Sequence, residues 1–527
     1  MTAVVRDLRR ARRINRLGEL EWFEIAYRVY LSALGGGVLV MWLSDLVSDE
    51  RVTPSQLDDV TSRGPAVIGL FLVAAVVLGL RSGSDGGPVS LEAGDARYLM
   101  MAPVSRRSVL LRPVVQRLRS MAFAGALAGG IAGQLAARRL PGTTAAWSAS
   151  GAVAGALIGL AFVASATIGH ALDVPRWAAT AMGGLLLTAQ IAAATWGWPG
   201  PGDGIGSFAM WGLRTRPTDL IAAAVVVGAA GVAAAVADRL RLEPLTRRAD
   251  LVSQLRFAVT MQDLRTVVLL RRQLRGERPR PKPWIRIGRS HSTSETRAIW
   301  QRDLRGLARY PGSRLLRMAA LAAAAGLGTE LVIGGTTPLV AGIGVALNLL
   351  GLDAIEPMSQ EIDHPDFADA TPRARGWLHV RHFAAPAVAL VPFAMIGALT
   401  VAVVEPGHGL AALALAVPVA WAGAAGSIVS VVRDAPNPVE PSASAVAVPP
   451  EFAGFTSSLR FLVPIVVSSI AALTALAMRE SPSPGTGLRM VVANLLVVAA
   501  TGAWVVKRDD LARAWRNLLA EGRKASR

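Results

Sequence analysis

Seven ionisable side chains crowd into 22 residues: Glu361, Asp363, His364, Asp366, Asp369, His379 and His382. Carboxylates and imidazoles of this kind hold metals or pass protons near neutral pH. The same stretch is threaded with arginines, however, and a solvated, charged loop has this composition too. His379 and His382 share a helix face but lack the glutamate of the metalloprotease pattern. A second candidate is Glu330, which stands in an apolar run with Gln134, Gln190, Asn348 and Asn494 as polar company in other runs. An ionisable group inside a membrane span is a functional candidate by default. Glu330 also lies close enough to the end of its run to suit a group at the interface. Other chemistry is excluded. The chain has no cysteine, hence no disulfide, thiolate nucleophile or Cys-based metal site. It has no G-x-x-x-x-G-K-[ST] loop to cradle nucleotide phosphates and no G-x-S-x-G elbow.

The charged stretch has an earlier counterpart. Pro88, Ser90, Glu92, Pro103, Arg106 and Arg112 recur as Pro357, Ser359, Glu361, Pro372, Arg375 and Arg381, each pair 269 residues apart with no gap. Tyr98 and Val109 match Phe367 and Leu378 at the same offset. In both copies an acidic segment (Glu92, Asp95; Glu361, Asp363, Asp366) precedes a proline and then a basic segment (Arg106, Arg107; Arg375). Proline favours the first turn of a helix, so each copy is predicted to form short helices at the membrane surface. A duplicated loop of this kind suits docking onto a soluble partner. The earlier copy lacks the histidines, which weakens the catalytic reading.

The elements that position these loops are apolar. Residues of the AVILMFWYC set make up 52% of the 527. They come in blocks of about 17–25 residues, the length that crosses a hydrocarbon core of about 30 Å. Twelve spans are predicted, near 25–47, 65–81, 121–138, 144–171, 177–197 and 219–238, then 316–335, 337–353, 383–404, 409–432, 460–478 and 487–506. The fold class is all-α and polytopic, with two pseudo-symmetric six-helix halves: residues 1–238, a basic linker 239–294, and residues 295–527. The first block has no cleavage-site pattern and reads as a retained span. Residues 198–218, rich in Trp, Pro and Gly, suit an outer loop or a re-entrant element.

Charge sets the topology. Net charge is +18, and residues 239–317 hold 20 Arg/Lys against 6 Asp/Glu. Loop 48–64 is acidic, whereas loop 82–120, the linker and the tail are basic, so the positive-inside rule places both termini and both repeated loops in the cytoplasm. Arg138 and Arg139, in a short outer loop, break the rule. The linker contains an amphipathic pattern near 251–268, suited to lying on anionic lipid headgroups, then a proline-rich break and a helix over 295–309. No recognisable nucleic-acid-binding module accompanies the charge. Arg302-Asp303-Leu304-Arg305 before the seventh span echoes Arg6-Asp7-Leu8-Arg9 before the first.

The run from Leu99 to Leu111, with Pro103-Val104-Ser105-Arg106 at its centre, resembles the loop after the second span of ABC-2-type exporter permeases. The second copy keeps Pro372 and Arg375 but not the serine. The resemblance implies two fused six-span halves in a bacterial plasma membrane and two separate ATPase subunits that carry the ATP and Mg²⁺. This chain itself would be neither an enzyme nor a cofactor carrier. By that likeness Glu92, Asp95, Pro103, Ser105, Arg106 and Arg107, with Glu361, Asp363, Asp366, Pro372 and Arg375, form the ATPase-docking loops. The Gly/Ala/Val/Leu spans suit an amphipathic or apolar cargo. The residues alone leave two alternatives: a membrane enzyme acting on lipid-linked substrates at the Glu361–His382 cluster, or a secondary transporter.

Overall fold

The computed structural model describes residues 41, 45, 51–84, 105–241, 280–288, 294–363, 372–432 and 453–525. The expected first span apart from Met41 and Asp45, the amphipathic stretch 251–268, and Glu92, Asp95, Pro103, His364, Asp366 and Asp369 lie outside the described residues. Helices carry the described residues, with no strand among them. The chain divides into two compact units, the changeover falling between residues 260 and 277.

The first unit contains α1 (Pro54–Ser84), α2 (Arg106–Arg139), α3 (Thr144–Ala171), α4 (Arg176–Trp196), the short α5 (Asp203–Ala209) and α6 (Asp219–Ala235). Local chemistry sets several ends. Pro141 holds Leu140 extended and stops α2. The Thr143 side chain accepts from the Ala146 N–H and starts α3. Gly197, at φ 72°, closes α4 in the left-handed conformation that glycine adopts without strain. The α2–α3 pair is held by two glycine rows four residues apart. Gly125, Gly129 and Gly133 on α2 face Gly155, Gly151 and Trp147 on α3. A Cβ on Gly129 would stand 2.0 Å from the Gly151 carbonyl oxygen, and one on Gly155 2.0 Å from that of Gly125. Such close backbone approach is how helices associate where lipid removes the hydrophobic drive between them.

Helix α4 carries membrane markers at both ends. Trp177 is 75% exposed and Trp196 70% exposed. Nineteen helical steps set them about 28 Å apart, close to the hydrocarbon thickness at whose edges tryptophans collect. Helix α2 has 34 residues, about 50 Å, so it outruns a bilayer core. Its surplus carries Arg106, Arg107, Arg112, Arg117 and Arg119 at one end. At the other end Arg138 pairs with Asp45 at 2.7 Å, which explains how this arginine is accommodated against the positive-inside rule.

The segment 198–218 packs onto α1 through α5, as a covered, non-spanning element. Gly202 and Gly206 lie directly on the backbone of Gly69 and Pro65. The fully buried Gln190 donates to the Ala66 carbonyl (2.7 Å) and Asp203 Oδ1 (2.9 Å) and accepts from the Gly202 N–H (2.7 Å). Ser207 and Trp211 both donate to the buried Asp219 carboxylate. Gln190→Leu leaves the buried Gly202 N–H without its acceptor and takes a donor from Asp203. It is expected to cost about 2–3 kcal/mol, read as a lower midpoint of thermal unfolding in detergent. An unchanged midpoint would show that water replaces the amide.

The second unit contains α7 (Glu295–Leu307), α8 (Gly312–Ile333), α9 (Leu339–Ala354), α10 (Glu356–Asp363), α11 (Arg375–Arg381), α12 (Ala384–Val404), α13 (Gly409–Val432), α14 (Ala453–Glu480) and α15 (Pro484–Ala525). Its core joins α8, α9, α12, α13 and α14 through Met318, Leu347, Leu350, Leu390, Phe393 and Ala471.

Among the described residues, nine helices are long and apolar enough to cross a membrane, and α9 with α10, bent by 66°, would make a tenth. Helix α6, at 17 residues, is shorter. The chain is thus an all-helical, multi-pass membrane protein. The expected twelve spans and two matched halves go beyond that count.

Candidate functional site

At one end of the second unit, α10 turns away from α9 just after Asp353, and three side chains of the α7–α8 junction and α8 brace the turn. Arg317 makes a two-pronged contact with Asp353, 2.7 Å from Nε to Oδ2 and 2.8 Å from a terminal nitrogen to Oδ1. Arg314, mostly buried, donates to the Asp353 carbonyl (2.7 Å) and to Glu356 (3.0 Å) while lying over the Tyr310 ring. The Tyr310 hydroxyl donates to the same carbonyl at 2.9 Å. A planar guanidinium suits such paired recognition. The contacts fix the direction in which the charged stretch leaves the bundle.

The next contact joins the charged stretch to the helix before the span. His382 and Asp303 have almost no exposed surface, and His382 Nδ1 lies 2.6 Å from Asp303 Oδ2. Arg302 reaches Glu361 Oε2 at 2.7 Å and His382 Nε2 at 3.4 Å. With Nε2 facing an arginine donor, the network assigns the proton to Nδ1, which donates to Asp303. Further out, Arg373 pairs with Glu295 (3.1 Å), and Arg381 stacks on Trp377 (3.3 Å to the ring centre) while donating to Thr296 (2.8 Å). Helix α7 is thereby clamped to α10 and α11. Gly376 seats α11 on the α15 backbone at Val505 and Val506. His382 is closed off from solvent and engaged on both nitrogens, so among the described residues His382 and Asp303 hold α7 against the charged stretch. Among the described residues no group of three or more His, Asp or Glu is placed to hold a metal ion.

The predicted docking residues fall as follows. Arg106 opens α2 and Arg375 opens α11, so the 269-residue offset marks the same helix start in both copies. Val109 and Leu378 are both buried one turn on. Ser105 is the N-cap residue of α2, with Arg106 and Arg107 exposed after it. Pro372 is exposed and stands three residues before α11, not in its first turn as predicted, because Ala374 remains extended. Glu361 is buried in the clamp, and Asp363 lies in α10. The copies also diverge. Helix α2 runs on through Pro113, whereas the chain breaks at His382–Phe383 between α11 and α12. There Pro386, whose ring conflicts with the carbonyl four residues back, restarts the helix.

Glu330 sits apart from the loops, one turn from the end of α8. His408, from the short turn joining α12 to α13, approaches its carboxylate with Nδ1 at 3.0 and 3.2 Å. The pair stands beside a cavity of about 120 Å³ enclosed by α8, α9, α12, α13 and α14. Asn348 lies deeper, bonded to Ser427 and Ser468, and Asn494 donates to Thr474.

A family model described only as a family of unknown function, DUF6297, matches residues 59–353, more than half of the chain. The chain belongs to the DUF6297 family. No curated protein and no solved structure matches it. The matched span of this DUF6297 chain ends at Asp353, the residue that Arg314 and Arg317 brace at the α9–α10 bend.

The reading of the residues missed what joins the two echoes. Arg302-Asp303 and the Glu361–His382 stretch were seen separately, and the fold makes them one clamp. The signal was present in part, since an acid beside an arginine on an amphipathic helix is an available buried partner. Asp353 and His408 carried no comparable signal.

Proposed function

We propose that this chain is the membrane permease subunit of an ATP-driven exporter. Separate ATPase subunits dock on residues 88–112 and 357–381, and twelve spans in two six-helix halves form the pathway for an amphipathic or apolar cargo. One observation carries the reading. The charged stretch is built as short helices α10 and α11, clamped to α7 at one end of a membrane bundle, with Pro372, Arg373 and Arg375 left on the outside. A loop that only connects two spans needs no such bracing. A loop that receives force from a partner does, because a floppy contact dissipates the movement that alternating access requires. The shared helix starts at Arg106 and Arg375 support two related surfaces. With no phosphate-cradling loop in its sequence, the chain takes the energy of ATP from its partner.

The test is purification of the tagged chain from its native membrane. A stoichiometric ATPase subunit is expected, and its absence under several mild detergents would overturn the proposal. Arg106→Glu with Arg107→Glu, or Arg375→Glu, changes exposed positions and so leaves the fold intact. Each is expected to weaken capture of the ATPase at least tenfold. ATPase recovery equal to the parent in both variants would move the docking surface elsewhere.

A further inference from the structure

The proline-rich break before α7 is pinned to the end of that helix. Arg280 and Trp284 donate their backbone N–H groups to the carbonyls of Arg309 and Ala308, at 2.9 and 2.8 Å. Both carbonyls follow the last turn of α7, where the helix supplies no donor of its own. Pro281 and Pro283, between the two donors, have no N–H to satisfy. The Trp284 indole donates to the Tyr310 carbonyl at 2.8 Å, and the Arg280 guanidinium lies 3.6 Å from the centre of a Trp284 ring. Arg305 ties the far end by donating to the Gly288 carbonyl. Residues 280–288 thus form a strap across the junction of α7 and α8.

The strap meets α8 where the span begins. A Cβ on Gly312 would stand 3.7 Å from the Trp284 ring. Gly312 heads an exposed row on α8, continued by Leu316, Ala320, Leu327 and Leu331. Steps of four and seven residues keep this row on one side of the helix. An exposed apolar row on a spanning helix faces lipid. Trp284 therefore stands at the level where lipid gives way to water, the place where tryptophans collect. It is 51% exposed, and Ile285 beside it is 70% exposed. The charge at this level is one-sided. Residues 280–288 hold Arg280, Lys282 and Arg286 and no acid. Lys282, Arg286 and Arg309 are exposed and have no ion pair among the described residues. The acids of α7 are already engaged, Glu295 with Arg373 and Asp303 with His382. A soluble acidic partner would account for the charge but not for a bare Trp–Ile pair at the lipid edge.

We infer that residues 280–288 are a membrane-surface anchor for anionic phospholipid, in which Trp284 and Ile285 enter the headgroup layer and Lys282, Arg286 and Arg309 meet the lipid phosphates. Basic residues beside a span gain most from an anionic surface when an apolar group holds them close to it. The inference stands apart from the exporter reading, because it needs no ATPase. It also fixes the depth of α7 against the membrane, since the strap is bonded to the end of that helix.

The chain has no cysteine, so Ile285→Cys gives a single site for a bimane fluorophore on the full chain. The labelled protein is placed in phosphatidylcholine bilayers, and phosphatidylcholine or phosphatidylglycerol carrying a nitroxide near the top of one acyl chain is titrated in. Both lipids are expected to quench the label, the anionic one at a concentration at least fivefold lower. Lys282→Gln combined with Arg286→Gln and Arg309→Gln is expected to bring the two lipids within about twofold of each other and to keep the quenching by phosphatidylcholine. Thermal unfolding reports the folding of each variant, and Lys282→Gln with Arg286→Gln replaces the triple change if that does not fold. A label that neither lipid quenches and that aqueous iodide reaches freely would overturn the anchor and leave a soluble partner for this surface. Equal quenching by the two lipids in the parent would overturn the anionic preference. A preference that survives the triple change would overturn the assignment to these three cations.

Discussion

Gly129→Leu is expected to abolish folding of the first unit, while Gly184→Leu leaves it intact. Both are helical glycines, and both gain about 0.8–1 kcal/mol of intrinsic helix preference on losing glycine. Their surroundings decide the outcome. A Cβ on Gly129 would stand 2.0 Å from the Gly151 carbonyl oxygen and 3.1 Å from the Gly155 Cα, whereas one on Gly184 meets nothing within 4 Å. The contact at Gly129 is backbone against backbone, so no rotamer change relieves it. Helices α2 and α3 must separate, and the neighbouring contacts at Gly125 and Gly133 are lost with them. A penalty of about 4 kcal/mol or more follows, enough to remove the folded state of a marginally stable unit. The measurement is the yield of monodisperse protein from detergent extracts and its thermal midpoint. Parent-like behaviour of Gly129→Leu would mean that the two helices do not meet as described.

Asp303→Ala is expected to be the most damaging change in the clamp. The carboxylate is about 1% exposed and holds His382 at 2.6 Å. Its removal leaves a buried imidazole N–H without an acceptor and Arg302 without one of its two acidic neighbours. Leaving a buried donor without its charged acceptor costs about 3 kcal/mol, which is roughly 10 °C in midpoint for a unit of this size. Asp303→Asn keeps an acceptor for Nδ1 and is expected to lose only about 1 kcal/mol. A double-mutant cycle with His382→Ala isolates the pair. Coupling of about 2 kcal/mol is expected for contacting residues in one network, and simple additivity would mean that the two groups act independently. Under the exporter proposal the same change also loosens α10 and α11 and weakens ATPase capture, although the docking surface itself is untouched.

Much of the fold was legible because it is local. Runs of Val, Leu, Ala and Gly of bilayer length mark helices whatever surrounds them. The predicted spans 144–171 and 409–432 coincide with α3 and α13. The shorter elements were harder. Asp219–Ala235 and Leu339–Ala354 read as spans from hydropathy, but the first has 17 residues and the second bends by 66° into α10. Hydropathy measures what a segment tolerates, not where its path turns. The bend depends on Arg314 and Arg317, some forty residues away from Asp353 in the chain. The candidate site divides the same way. The 269-residue offset was visible in the letters, and it is met again in the helix starts at Arg106 and Arg375.

The sequence by itself determined the helical, multi-pass class of this protein, the basic end of α2, the repeated loop and the lack of a nucleotide-phosphate loop. Each depends on composition or spacing within a short window. Only the tertiary structure decided which charges meet. Asp303 lies 79 residues from His382, and Glu330 lies 78 residues from His408. A buried carboxylate is tolerable only beside a donor, but that requirement names no particular donor among fifty-five arginines and lysines. Helix packing selects the partner by bringing two positions within 3 Å, and that distance is set by the glycine and alanine contacts of the whole bundle.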